Sequence, residues 1–557
     1  LFLEYEIIKE IALKQKPILW LIVCLYFYLS PGSAEQAAGD CTSVLVTKKA
    51  SRNGSTMISY SCDGEFHPRL SILPAADHEP GEMVEIRGWR GVKGKIPQVA
   101  HTYKVVGLMN EHQLAMGETT FGGRRELVNP DGYFHYYTLM RFTLQRAKTA
   151  REAINVMTEL VEKYGYASEG ESISIADKEE VWLMEITGTG KGGKGAVWVA
   201  VRIPDGMVCA HANMSRIREF ALDDRENVRY SDNVISFAVE KGYYDPKSGK
   251  PFSFSEAYNP PTEEQVRYSA RRVWSIFRRV SPSMNLSPDW SSCKKGATPY
   301  PLFIRPDEPL DVQDVIALHR DHYEGTEFDM TRDVTAGPFG APDRWRPMKW
   351  TVDGKLYTWE RPISTQQAAF VHVTQSRSDI PDEIGGIYWY GFDNPYTNFF
   401  VPFYTCIDHL PDSYTTGTLS RFSRDSGWWA VNFVANYANL RWNEMIKDIQ
   451  AVQREIEHTA FALQPAVEAA ALTLVKEDTA LAQKYLTHHC VGYAEMSVKK
   501  WWELADFLVT KYNDGYIQEK PGRARESGYP EAWLRREVKA NGSKRRLKEE
   551  KEIEREL

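Results

Sequence analysis

Cys41 is the residue whose place in this sequence could make it a reagent. Upstream of it, Lys9, Lys14 and Lys16 precede an apolar run over residues 17–29, and Gly32 and Ala34 follow at positions that suit signal peptidase. The run is about 13 residues long, short of the roughly 20 that a membrane-spanning helix needs. It reads as an export signal, which predicts a periplasmic or extracellular protein without stable membrane insertion once the signal is removed. Asp40 is a poor residue to precede a signal-peptidase cut, so residues 35–40 read as a short propeptide, lost by self-cleavage or to another protease. A cysteine that becomes residue one carries its own base. A thiol titrates near ~8.5 and attacks only as thiolate, and a free α-amine, with a pKa of about 7.7–8.0, can take its proton and return it to a leaving group. No separate histidine is then required. The plain alternative is that Cys41 is an ordinary buried strand cysteine.

Other residue patterns carry less. The seven cysteines stand at 24, 41, 62, 209, 293, 406 and 490, without a CxxC pair, and no disulfide can be assigned. His488-His489-Cys490 lacks a second ligand cluster at the spacing of metal sites, so no metal and no cofactor are expected. Gly188-Thr-Gly-Lys-Gly-Gly-Lys-Gly195 resembles a phosphate loop in composition only. A Trp/Val-rich strand follows it where a helix N-terminus would have to stand, and a hairpin connection is the better reading. The chain has 557 residues, 43% hydrophobic and 26% charged, with a net charge of −7. That is a globular balance without the basic footprint of a nucleic-acid binder.

The elements that would position these residues can be read from periodicity. Residues 41–47 are β-branched and alternating, Asn53-Gly54 is a turn signal, and 55–61 is the returning strand. A second hairpin is expected over 103–109 and 114–120, turning at 110–112. Residues 146–164 have the clearest helical spacing, through Ala150, Ala153, Ile154, Met157, Leu160, Val161 and Tyr164. Strands are expected at 180–187, 196–203 and 207–211. From residue 428 the pattern turns helical, with segments at 442–463, 465–485 and 494–512, and the charged stretch after 535 reads as a solvated helix. Strands first and helices last predict an α+β protein with layered sheets flanked by helices. Aromatic runs such as Tyr388-Trp389-Tyr390 and Trp428-Trp429 are expected to pack in the core.

Several separated segments, in order, resemble the C69 family of dipeptidases. They are Cys41-Thr-Ser-Val-Leu-Val-Thr47 with its continuation to Met57, Asn110-Glu-His-Gln-Leu-Ala-Met-Gly-Glu-Thr-Thr120, Glu185-Ile-Thr-Gly-Thr-Gly190, Phe328-Asp-Met-Thr-Arg332, Ala336-Gly-Pro-Phe-Gly340 and Ser426-Gly-Trp-Trp-Ala-Val-Asn-Phe-Val-Ala-Asn436. The resemblance runs from Cys41 to about residue 511. It groups the chain with bile-salt hydrolases and penicillin V acylases in the N-terminal-nucleophile superfamily, and implies a four-layer αββα sandwich with a mainly helical C-terminal region. The implied division is a leader at 1–40, a catalytic domain at 41–430, helices at 431–530 that complete the fold, and a charged tail at 531–557. The superfamily's site maps onto Cys41 as nucleophile, Asp63 as holder of the α-amine, Asn213 as oxyanion donor, and Arg421 as an arginine near the nucleophile that favours thiolate. Thr120 stands where bile-salt hydrolases have a second oxyanion asparagine, and Tyr60 stands where relatives often carry arginine. The implied activity is hydrolysis of dipeptides or short peptides through a thioester. The alternatives are an amidase of N-acyl amino acids or bile-salt conjugates, and an exported binding protein without catalysis. Homo-oligomerisation stays open.

Overall fold

The computed structural model describes residues 41–88, 91–520 and 522–547. The expected signal and propeptide at 1–40 lie outside the described residues. Strands of the two large sheets are numbered here along the chain. The first sheet contains β1 (Thr42–Val46), β2 (Thr56–Asp63), β10 (Val208–His211), β12 (Phe303–Ile304), β13 (Ala368–Ser376), β14 (Ile387–Phe392) and β15 (Val401–Tyr404), in the order β12-β10-β1-β2-β13-β14-β15. The second contains β3 (Ile72–Leu73), β4 (Val105–Val106), β5 (Met109–Asn110), β6 (Ala115–Gly122), β7 (Gly170–Ala176), β8 (Val181–Thr187), β9 (Val197–Arg202) and β11 (Val228–Tyr230), in the order β11-β9-β8-β7-β6-β5-β4-β3. Every pairing within them is antiparallel.

Strands β1 and β7 are buried along their whole length, and β2 is buried except at Cys62. A strand covered on both faces needs little polar alternation, which is why β1 and β2 read as near-continuous apolar and small residues. One face of β1 and β2 lies against β6 and β7 of the other sheet, with the Ser43 hydroxyl donating to the Glu118 carbonyl at 3.5 Å. Between the sheets, His211 is held by Thr119 and Ser174, each at 2.7 Å. The glycine-rich stretch joins antiparallel β8 and β9, as a hairpin connection should.

Several element boundaries differ from the periodicity reading. The second hairpin shrinks to β5 and β6, and its turn moves to Gln113, whose φ is 65°. Helices α1 (Tyr136–Leu144) and α2 (Ala150–Tyr164) follow. Helix α2 starts at 150 because extended Thr149 caps it, accepting from the Glu152 amide at 3.2 Å. Its buried stripe is Ala150, Ala153, Ile154, Met157 and Val161. Further on come α3 (Arg271–Val280), α4 (Val312–His319) and α5 (Gly427–Ala438). The C-terminal region then forms α6 (Trp442–Glu477), α7 (Thr479–Lys511) and the exposed α8 (Glu531–Arg545). The chain does not divide at Pro465, which sits inside α6. The break falls at Asp478, which caps α7 through the Ala480 amide at 2.9 Å. An interior proline costs ~3 kcal/mol. Here α6 packs along α7 and against β15, and that burial outweighs the lost hydrogen bond. Arg377, just past β13, anchors α6 through Glu468 at 2.8 Å, and Tyr404 donates to the same carboxylate at 3.0 Å. The aromatic run lies in this core, with Trp389 stacked on Phe461 at 4.2 Å.

Candidate active site

Cys41 sits one residue before β1 and is 2% exposed. The register Thr42↔Ser61 and Ser43↔Tyr60 brings it beside Cys62 at the end of β2, where Asp63 closes the strand. Residues directly opposite in an antiparallel pair share a face, so Cys41, Tyr60 and Cys62 all look towards the second sheet. The Cys41 thiol is 3.8 Å from Glu118 Oε1 and 3.9 Å from Tyr60 Oη. The neighbouring Cys62 thiol, burial and the Glu118 and Asp63 carboxyls together hold it well above the usual thiol range. As placed, it is a protonated thiol that needs a base before it can attack.

One guanidinium ties the nucleophile's backbone to the predicted oxyanion donor. Arg272 lies at the start of α3 and is fully buried. Its Nη1 donates to the Cys41 carbonyl at 2.7 Å and to Thr42 Oγ1 at 2.9 Å, its Nη2 to Asn213 Oδ1 at 2.7 Å, and its Nε to the Tyr268 carbonyl at 2.9 Å. Asn213, two residues past β10, donates its Nδ2 to the Thr120 carbonyl at 2.8 Å. The amide is therefore fixed in orientation at both ends, the preorganisation an oxyanion donor requires.

Asp63 is ion-paired with Arg361, both side chains being 1% exposed. Sequence reasoning gave Asp63 the α-amine of Cys41 as its partner and missed Arg361, which comes from 298 positions further along.

Two expected roles change. Arg421 is exposed and forms an isolated bridge with Thr418, and the guanidinium that meets Cys41 is Arg272. Position in a short motif suggested Arg421, whereas the buried face of α3 decides for Arg272. Thr120 is near the site, but its hydroxyl donates to Glu171 Oε1 at 3.0 Å. Its contribution to Asn213 is its backbone carbonyl, not a second side-chain donor.

Sequence reasoning also passed over a pair of carboxyls. Glu118 on β6 and Glu171 on β7 are each 1% exposed. The register Thr120↔Glu171 puts them on one face, one step apart along the diagonal. Glu118 Oε1 accepts from the Tyr60 hydroxyl at 2.5 Å. Burial pushes the Glu118 carboxyl up, against hydrogen bonds from Tyr60, Glu171 and Cys41 that pull it down. Burial also pushes Glu171 well up, and the charge and hydrogen bond of Glu118 add to the effect. Two carboxyls in contact cannot both ionise. The pair therefore holds at least one proton, and Glu171, pushed up the further, is the first of the two to take it. An acidic residue in mid-strand, costly to bury, was the signal available in the sequence. Among the described residues no group of three or more His, Cys, Asp or Glu side chains could hold a metal ion, and no helix is long and apolar enough to cross a membrane.

Comparison with known proteins adds the following. The profile of Peptidase family C69 matches residues 73–455, a span that includes Glu118, Asn213, Arg272 and Arg361 and begins after Cys41 and Asp63. A probable dipeptidase of Salmonella dublin is 26% identical over 402 residues, 68% of this chain and 84% of that protein. One from Latilactobacillus sakei is 28% identical over 393 residues, 67% and 76% of the two chains. Probable dipeptidase A of Streptococcus pyogenes serotype M3 is 26% identical over 499 residues, 84% and 98%.

Proposed function

The chain belongs to peptidase family C69, and on that premise we propose that it is a cysteine-type dipeptidase whose nucleophile, Cys41, acts as the first residue of a chain cut after Asp40. The observation that carries this reading is Arg272, a single buried guanidinium that binds both the Cys41 carbonyl and the Asn213 amide. A structural cysteine has no need of that link. In the cut chain the α-amine takes the thiol proton, and the thiolate attacks the dipeptide carbonyl. Asn213 Nδ2 meets the oxyanion. The leaving amine departs with the proton, leaving a thioester on Cys41 Sγ. Water then attacks, losing its proton to the same α-amine, and the thioester breaks to release the acid and restore the thiol. Asp63 orients the α-amine. Its pairing with Arg361 offsets a charge that would otherwise hold the amine as ammonium, unable to accept a proton.

The same reading takes residues 1–40 as an export signal with a short propeptide and places the enzyme outside the cytoplasm. It takes the four-layer αββα arrangement of the superfamily as its architecture. The test is a purified chain whose intact mass and N-terminal sequence are determined and which is assayed on unprotected dipeptides. A chain beginning at Cys41, active as wild type and inactive as Cys41→Ala with an unchanged melting temperature, is the expected result. Activity in the Cys41→Ala protein, or in a chain that retains residues before Cys41, overturns it.

A further inference from the structure

The Glu118–Glu171 pair sets two buried carboxyls beside the nucleophile, Glu118 Oε1 being 3.8 Å from the Cys41 thiol. Neither residue forms an ion pair with any described residue, whereas the less buried Glu457 and Glu468 each have an arginine, Arg320 and Arg377. Among the described residues, the Tyr60 hydroxyl and the Cys41 thiol donate to Glu118 Oε1. Ionised without a cation, a carboxyl buried this deeply costs several kcal/mol. The charge also opposes formation of thiolate 3.8 Å away. A cation that arrives with the substrate would remove both penalties.

A dipeptide with a free N-terminus carries that cation in the right place. Its α-ammonium nitrogen is about 2.5 Å from the carbonyl carbon to be attacked, and the carbon approaches Sγ to about 3–3.5 Å before reaction. The ammonium therefore lies about 4–5 Å from Sγ, close enough to meet Glu118 Oε1, which is 3.8 Å from the same sulfur. When the thiol proton leaves, Oε1 loses one of its two donors, and an ammonium N–H can take that place. An N-acylated substrate offers a neutral amide and added bulk at the same point.

We propose that Glu118, anchored by Tyr60 and backed by Glu171, receives the α-ammonium of the substrate's N-terminal residue and restricts the enzyme to peptides with a free N-terminus. This rests on the dipeptidase reading and names the residue that would separate a dipeptidase from an acylase on the same scaffold. The experiment compares three substrates on mature wild-type enzyme and on Glu118→Gln: an unprotected dipeptide, its N-acetyl derivative, and its des-amino analogue with hydrogen in place of the ammonium. Wild type is expected to favour the unprotected dipeptide in kcat/KM by roughly 10- to 100-fold over the des-amino analogue, the worth of a buried charge-assisted hydrogen bond. Glu118→Gln should lose most of that preference, the ratio of kcat/KM for the unprotected dipeptide over the des-amino analogue falling to within about threefold of one. A wild type that cleaves all three alike, or a folded Glu118→Gln protein with the wild-type preference, overturns the proposal. The wild-type comparison alone decides if the variant does not fold. Wild type inactive on all three refutes the dipeptidase reading and, with it, this one, whereas equal cleavage of all three leaves the nucleophile standing and removes only Glu118.

Discussion

Replacing Arg272 with lysine probes the part of the site that sequence reasoning did not reach. Two hydrogen bonds of the guanidinium join the Cys41 carbonyl to Asn213 Oδ1, each at 2.7 Å. Lysine keeps the charge but brings a single nitrogen on a flexible stem, without the planar fork. It can reach one of those oxygens and gives up the hydrogen bond to the other, a stability cost of about 1–3 kcal/mol. That is survivable for a domain with a typical stability of about 5–15 kcal/mol. The larger loss should fall on catalysis. Asn213 no longer has its amide plane fixed, and loss of one aligned oxyanion donor costs roughly 100- to 1000-fold in kcat. The assay is steady-state hydrolysis of an unprotected dipeptide by mature Arg272→Lys, normalised to Cys41 that reacts with an alkylating reagent, with a melting curve alongside. A fall in kcat of that size with a modestly lowered Tm is expected. A kcat within about threefold of wild type would refute the idea that Arg272 couples nucleophile and oxyanion donor. A loss fully accounted for by unfolded protein would refute it equally.

Arg421→Ala should leave kcat/KM within about twofold and Tm unchanged, because the side chain is exposed; a tenfold loss on the same dipeptide assay would return Arg421 to the site. Glu468→Ala removes the carboxylate partner of buried Arg377 and one tie between α6 and the first sheet, at an expected cost of about 3–5 kcal/mol, read as a lowered urea midpoint. Burial pushes the Glu185 carboxyl up to about 7, against hydrogen bonds from Arg216, Ser215, Ile217 and Ser172. A carboxyl with a raised folded-state pKa binds more protons folded than unfolded. Its contribution is full below the ordinary carboxylate range near ~4.3 and is lost as pH rises towards 7. The stability of wild type relative to Glu185→Gln should therefore fall between pH 4.5 and 7.5, by at most on the order of 3 kcal/mol, and a difference that stays flat or rises in paired urea titrations would contradict this.

What was legible in the sequence was local or tied to position along the chain. The β1–β2 hairpin follows from β-branched runs around Asn53-Gly54, and the apolar stripe of α2 from its spacing. Cys41 stands out because of what precedes it, since an N-terminal nucleophile is defined by chain position. Asp63 and Asn213 were named through the family resemblance, which maps a superfamily's site onto short motifs at strand ends. The start of α2 and the continuity of α6 were less legible, because a cap at Thr149 and burial against α7 outvote periodicity at single residues.

The tertiary structure decided which charges matter. Arg272 is 231 positions from Cys41 and Arg361 is 298 from Asp63. In the sequence, Arg271-Arg272 is an ordinary basic pair at a helix start and Arg421 an equally plausible partner for the thiol. Glu118 is one acid among many until the packing of β6 and β7 against β1 and β2 sets it beside Glu171 and Cys41. The physical reason is the range of the interactions. Backbone hydrogen bonds, caps and side-chain periodicity act over a few residues and leave a local pattern. The worth of a charge depends on its distance to other charges and on the water removed around it, and only the closed arrangement of the two sheets and α3 sets those distances.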